Sequence, residues 1–232
     1  MKKLFMLFAM LVSVAGLCAY GGSGGRAATP DATSTPVGTT VNLTAFKSVL
    51  MGSSTGSQYS FPYLAGKDTQ GRAWSGSYSL IADGATTFEA QNVTKNRSLT
   101  TLKLGSGTPV STVSTKYFQV ADGSSYKFVD SSGLISVSVS QFVIPATPKV
   151  GDFGTIGTFN NTDGTTFTVT WSLNADVNGA SQLVISSVVR SGSTVTATET
   201  DTYLLDATGN PTKFSVSVTI SGVIVNLSGN RV

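Results

Sequence analysis

A two-residue alternation of apolar and polar side chains runs from Gln58 to the end of the chain and limits the folds open to it. In its clearest stretch, Thr165–Leu173, aromatic and aliphatic residues alternate with Thr and Ser. Because successive side chains of a strand point to opposite faces, each such stretch predicts a strand with one buried face. Further strands are predicted at Ala73–Ala82, Val93–Leu104, Val110–Val120, Ser125–Val129, Leu134–Ile144, Ser181–Arg190, Ser193–Leu205, Lys213–Ile220 and Val223–Leu227.

The connections between these stretches are short and rich in Gly, Asn and Asp, which favours antiparallel pairing of sequential strands. Asp130–Gly133 and Asp206–Gly209 share a D-x-x-G pattern, in which Asp accepts a local backbone hydrogen bond and Gly takes a left-handed conformation. The sequence therefore predicts an all-β fold, an antiparallel meander of about ten or more strands that forms a curved sheet, a barrel or a sandwich.

Two segments depart from the alternation. Apolar residues at helical spacing predict a short helix at Val41–Met51, with Thr44 as its cap and Gly52 as its stop. Phe142–Gly157 contains two prolines, which central strands exclude, so the chain is expected to leave the sheet there. The β-rich region 41–232 is thus one domain, or two halves at 41–144 and 150–232.

The first residues have the pattern of an export signal. Lys2 and Lys3 precede the apolar run Leu4–Val14, which is long enough for a secretory signal peptide and too short for a membrane span. Residues 1–17 are predicted to be this leader. Residues 18–40 begin with the only cysteine, Cys18, and continue as a linker rich in Gly, Ser, Thr and Pro.

Ala15-Gly16-Leu17-Cys18 resembles a bacterial lipobox, and the Gly/Ser run Gly21–Gly25 resembles the tether behind lipoprotein cysteines. Val150-Gly151-Asp152, Gly154–Phe159 and Thr198–Tyr203 resemble segments of uncharacterised β-rich lipoproteins of Gram-negative bacteria. The resemblance implies an all-β fold, lipidation at Cys18 and an outer-membrane address, with the lipid anchor as the contact to the membrane. The alternative is ordinary cleavage, after Gly16 or Ala19 for example, that gives a soluble periplasmic or secreted protein.

Composition excludes several classes of function. With one Cys and no His, the chain has neither a disulfide framework nor the imidazole on which common nucleophile systems and zinc sites depend. Lys and Arg are scattered singly, so nucleic acid is not an expected partner. No cofactor or metal is expected. The Asp-Gly pairs at 83, 122 and 163 are interpreted as turns, in preference to calcium ligands.

Glu199 and Asp201 are the candidate chemical site. They share one face of the strand Ser193–Leu205 with Val195, Ala197 and Tyr203, at a separation that suits a carboxylate pair of a hydrolase or a calcium site. The alternative is that neither face of this strand is fully buried, or that the strand is a sheet edge protected by charge.

Aromatic side chains give further candidates. Trp74 and Trp171 could stack on sugars, although their faces predict core packing. Tyr59, Phe61 and Tyr63 alternate on one strand and form a better candidate binding face, for which core packing is again the alternative.

Three functions follow from these observations. The first is a non-enzymatic structural or interaction module tethered to the outer membrane, whose protein partner is not specified by any motif. The second is a binder of an apolar ligand, such as a lipid, inside a curved sheet. The third is a carboxylate-based hydrolase that uses Glu199 and Asp201.

Overall fold

A computed structural model describes residues 35–141 and 144–232 of the chain. The predicted signal peptide, Cys18 and most of the predicted linker lie outside the described residues.

The described residues form one α-helix and twelve β-strands. The helix α1 spans Thr44–Leu50. The strands are β1 (Gln58–Asp68), β2 (Ala73–Phe88), β3 (Gln91–Leu104), β4 (Val110–Gln119), β5 (Ser125–Asp130), β6 (Ile135–Gln141), β7 (Phe153–Asn161), β8 (Thr166–Ala175), β9 (Ser181–Ser191), β10 (Thr194–Leu205), β11 (Pro211–Ile220) and β12 (Val223–Asn230). Within the described ranges, no helix is both long and apolar enough to cross a membrane.

The strands form a closed barrel. Each strand pairs antiparallel with the next one along the chain, and β12 returns to pair with β1 through a register that matches Ala65 with Ser228 and Asp68 with Val225. This confirms the predicted all-β antiparallel meander and selects the barrel among the three forms. The two stretches considered as halves, β1–β6 and β7–β12, contribute to the same barrel.

The barrel buries the apolar face of its strands. In β8 the aromatic and aliphatic residues point inward, and the Thr and Ser residues between them are more exposed. Two groups of contacting rings occupy the interior. One comprises Phe46, Tyr59, Phe61, Tyr78, Tyr203 and Phe214, and the other Phe118, Phe128, Phe159 and Phe167. Burial of these faces is the main source of the fold's stability.

One end of the barrel is covered by α1 and the segments beside it. The amide of Leu43 donates to the carbonyl of Ala146 (2.7 Å), and the amide of Val41 donates to that of Pro148 (2.9 Å). At β3, Thr94 Oγ1 donates to the carbonyl of Met51 (2.6 Å). Since Phe46 of α1 contacts the rings of Tyr59 and Tyr203, the helix closes the interior against solvent at this end.

Several local predictions need correction. Thr44 is the first residue of α1 and not its cap, because Leu43 occupies the N-cap position. Asn42 Oδ1 accepts from the Thr44 amide (3.0 Å). Asp83-Gly84 is not a turn: β2 continues past it through a bulge to a turn at Glu89-Ala90. Phe142–Gly157 leaves the sheet only in part, since β7 begins at Phe153 and pairs with β6.

The predicted D-x-x-G turns are confirmed by matching geometry. Asp130 Oδ1 accepts from the amides of Ser132 (2.8 Å) and Leu134 (3.0 Å), and Asp206 Oδ1 accepts from those of Thr208 (2.8 Å) and Asn210 (3.0 Å). Gly133 and Gly209 have positive φ values of 86° and 80°, which glycine adopts without strain.

Asp68, at the end of β1, gives a prediction about acid stability. Burial alone would raise the pKa of Asp68, but hydrogen bonds from Trp74, Arg72 and nearby backbone amides lower it to about 2. Its ordinary pKa is about 3.9, so this carboxylate stabilises the fold above about pH 4, and the contribution is lost as the pH falls to about 2. Asp68→Asn should therefore be less stable than the parent protein near neutral pH, with a difference that shrinks over that range.

Urea unfolding of both proteins at a series of pH values measures this difference. A difference in the free energy of unfolding between parent and variant that stays constant down to about pH 2 would contradict the role assigned to the Asp68 carboxylate.

Candidate functional site

The predicted carboxylate pair lies inside the barrel. Glu199 is 0 % exposed and Asp201 is 3 % exposed. Their strand β10 pairs with both β9 and β11, so neither alternative interpretation, an incompletely buried face or a charged sheet edge, holds. Ala197 and Tyr203 share this inward face as predicted. A bulge beside Val195 turns that residue outward, where it is 45 % exposed.

Lys116 is a third charged group in the interior, and sequence reasoning missed it. It lies on the inward face of β4 between Ser114 and Phe118 and is 9 % exposed. In the order of strands around the barrel, β4 lies opposite β10. The alternation of β4 placed Lys116 on an apolar face, and that anomaly was the available signal.

A small cavity lies between Lys116 and Asp201. Lys116 and Asp201 both line it, together with Tyr78, Tyr203 and Phe128, and its volume is about 40 Å³. Such a volume holds a few water molecules. The cavity brings together one predicted site residue, Asp201, and one that was not predicted, Lys116.

The ionisable groups of this interior form no ion pair with one another within 4.0 Å. Both carboxyl oxygens of Glu199 and Oδ1 of Asp201 are buried without a hydrogen bond. Lys116 forms none of the ion pairs within 4.0 Å found among the described residues, and its Nζ lies 5.7 Å from the centre of the Phe128 ring. Unpaired buried charges are expensive, so the neutral forms of these side chains are favoured.

The direction of each pKa agrees with that expectation. Burial lowers the pKa of the Lys116 ammonium, and the charges of Asp201 and Glu199 oppose the change. Burial also raises the pKa of Asp201, which Lys116 opposes. For Glu199, burial and then the charge of Asp201 raise the pKa well above its ordinary range. Burial therefore opposes the charged form of each of these three side chains.

Tyrosine hydroxyls border the same region. The hydroxyls of Tyr78 and Tyr203 form a hydrogen bond with each other (3.1 Å), although their strands lie on different parts of the barrel wall. Burial raises the pKa of both phenols, so they remain protonated. They give the cavity a polar border without adding a charge.

The aromatic candidates divide between core and surface. Trp74 and Trp171 are buried, which confirms their predicted core packing. Tyr59 and Phe61 are buried as well, but a bulge after Phe61 turns Tyr63 outward, where it is 79 % exposed. The three residues therefore do not form one binding face, and only Tyr63 can contact a partner from outside.

Tyr63 borders an open groove on the outer surface. The groove has a volume of about 500 Å³ and runs between β1, β2 and β3, lined by Tyr63 with Ser75, Ser77, Thr101, Lys103 and Pro109. It combines one exposed ring with hydroxyl groups and an ammonium. A second groove of about 590 Å³ crosses β10, β11, β12 and β1.

Carboxylates of the described residues are not gathered for metal binding. Within residues 35–141 and 144–232, no group of three or more His, Cys, Asp and Glu side chains is placed to hold an ion. Asp122 and Asp163 accept from amides two residues ahead, at 2.8 and 3.0 Å, as turn residues do.

Comparisons with known proteins found no relative of this chain. No protein-family model matches the chain, and searches of curated proteins and of solved structures found no match either.

Proposed function

We propose that this chain is an exported lipoprotein, fastened through Cys18 to the outer membrane, whose barrel is a non-enzymatic structural or interaction module. The single observation that supports a module over the alternatives is the packed interior, in which two groups of contacting aromatic rings occupy the space that a ligand would need.

The cavity beside Lys116 argues for the module over a lipid binder. Binding sites for small molecules usually enclose about 300 Å³ or more. The cavity offers about 40 Å³, which is too small for an acyl chain. Mass spectrometry of an organic extract of the purified protein tests this step, since a lipid present in equal amount to the protein would favour the ligand-binding alternative.

Burial of the carboxylates argues against the hydrolase. Glu199 and Asp201 are closed off from solvent by the barrel wall, so a polymeric substrate has no access to their oxygens. A glycosidase pair needs a cleft that admits both the sugar and a water molecule. The outer grooves offer open space instead, and the one beside Tyr63 is the surface that we assign to a partner.

The anchor gives a prediction for position 18. Cys18→Ser removes the thiol that would carry lipid, so the variant should move from the membrane fraction to the soluble fraction of the cell envelope, because acyl chains supply the membrane affinity. Ser23→Ala, in the Gly/Ser tether, is the matched control and should stay with the membrane.

Intact mass of the mature protein completes the test, since it reports the cleavage site and any acyl chains together. Equal membrane fractionation of the parent and Cys18→Ser, with a mature mass that contains no acyl group, would overturn the proposed anchor.

A further inference from the structure

The interior holds the three groups needed for a covalent cross-link. An amine, Lys116, and a carboxyl group, Asp201, line one cavity from opposite walls of the barrel. A second carboxyl group, Glu199, lies two residues from Asp201 on the same inward face and has no hydrogen-bond partner on either oxygen. None of the three has a role in the proposed module.

We propose that Lys116 and Asp201 form an intramolecular isopeptide bond, with Glu199 as the residue that transfers the proton. The bond joins Nζ of the lysine to Cγ of the aspartate and ties β4 to β10. It converts two side chains that are costly to bury as ions into one neutral amide.

The shared cavity sets the distance that the bond must close. Lys116 and Asp201 line the same cavity, and its volume of about 40 Å³ corresponds to a few water molecules, so only a short gap separates the two side chains. Contacts across the interior, such as the hydrogen bond between Tyr78 and Tyr203, bring inward side chains of different walls together. The proposed bond requires the Lys116 side chain to extend through this cavity until its Nζ meets Cγ of Asp201.

The surroundings favour the reacting forms. Phe118, Phe128, Ile156, Val169 and Ile185 border the cavity and exclude bulk water. In such surroundings a lysine loses its proton readily and a carboxyl group keeps its own, which gives a nucleophilic amine and an uncharged acyl group. Competing hydrolysis is also suppressed where bulk water is absent.

The reaction balances without a cofactor. The lone pair of neutral Lys116 Nζ attacks Cγ of the protonated Asp201 carboxyl group, and a C–N bond forms. Glu199 accepts a proton from the nitrogen and delivers a proton to the departing hydroxyl group, so the C–O bond breaks and one water molecule leaves. The amide, the water and the regenerated acid form of Glu199 account for every atom.

Asp201 and Glu199 are assigned different roles by position. Asp201 lines the cavity that Lys116 lines, so its Cγ is the carbon within reach. Glu199 is outside this lining but lies two residues from Asp201 on the same inward face, about 7 Å along the strand, so its longer side chain can reach the Asp201 carboxyl group. Both of its oxygens lack a hydrogen-bond partner and are available to exchange a proton. The bond would enclose the chain from β4 to β10 in a covalent loop and would hold opposite walls of the barrel together.

Peptide mapping of the purified full-length chain tests the bond. Trypsin cannot cleave after an acylated lysine, so cross-linked protein should yield peptide 104–127 joined to peptide 191–213, lighter than their sum by one water molecule. This readout does not depend on how the N-terminus is processed. Separate peptides cleaved after Lys116, from protein that is folded by circular dichroism, would overturn the proposal.

Variants identify the reacting atoms. Asp201→Asn should still form the bond but lose ammonia instead of water, since the leaving group is then an amine. Lys116→Met and Asp201→Ala should abolish the joined peptide. Glu199→Gln should slow its formation at least tenfold in freshly folded protein, and unchanged formation would overturn the role of Glu199. A peptide joined through Glu199 in place of Asp201 would overturn the assignment of the reacting carboxyl group.

Discussion

Replacing Phe214 with Ala is expected to lower the free energy of unfolding by about 3–5 kcal/mol, the usual loss when a fully buried Phe is truncated to Ala. Phe214 is 0 % exposed, and its ring centre lies 4.3 Å from that of Tyr78, 5.1 Å from that of Tyr203 and 5.4 Å from that of Phe61. The variant would lose the burial of one ring and leave a cavity among three others. A fall in the thermal midpoint of roughly 10 °C should accompany it.

Phe153→Ala is the matched control, because the same chemical change there removes a ring that is 81 % exposed. Its free energy of unfolding should stay within about 0.5 kcal/mol of the parent value. Urea unfolding followed by circular dichroism measures both variants. If the two variants lost similar stability, the ring group around Phe214 would not be the packed core that the barrel requires.

The alternation in the sequence was sufficient to predict every strand except β7, which begins within the segment expected to leave the sheet, but it did not predict the closure of the barrel. Inward and outward faces follow from position along each strand, and Phe167 and Trp171 are buried as the pattern required. Closure depends on the pairing of Ala65 with Ser228, residues far apart in the chain. A sandwich would bury the same faces, so local patterning could not distinguish the two forms.

The turn at the end of β2 was missed for a related reason. Asp83-Gly84 has the composition of a turn, but the bulge that it forms keeps the chain in the sheet, and Gly84 takes a φ of 89° there. The actual turn uses Glu89 and Ala90 at φ values of 49° and 61°, which are uncommon residues for left-handed backbone. Pairing of β2 with β3 over a long ladder outweighed the local preference.

The sequence predicted the two carboxylates of the candidate site but not its lysine. Glu199 and Asp201 stood out because two acids on one strand face are unusual, and both point inward. Lys116 did not, because the strand that carries it is distant in the chain, and only closure of the barrel sets it opposite Asp201. A site assembled from opposite walls is a property of the topology, which alternation does not specify.

The cover of the barrel, which is α1 (Thr44–Leu50) with the residues just before it, contacts the strands of the barrel at Gly209. This residue lies in the turn between β10 and β11, and a Cβ atom placed on it would lie 1.9 Å from the carbonyl oxygen of Asn42, just before α1. Backbone atoms of the cover and of the turn are therefore in contact with no room for a side chain. Gly133 occupies the equivalent position of the other D-x-x-G turn, and a Cβ there would meet nothing within 4 Å.

Gly209→Ala should destabilise the protein by about 3 kcal/mol or more, and Gly133→Ala by about 1 kcal/mol. Both variants place Ala in a left-handed conformation, but only Gly209→Ala also forces the cover away from the barrel. Their φ values, 80° and 86°, make the conformational part of the loss nearly equal. The difference between the two free energies of unfolding therefore isolates the contact with Asn42. Hydrogen exchange of the Val41 and Leu43 amides, which donate to the carbonyls of Pro148 and Ala146, should accelerate in Gly209→Ala and stay slow in Gly133→Ala. Equal losses of stability with unchanged exchange would mean that the cover does not rest on this turn in solution.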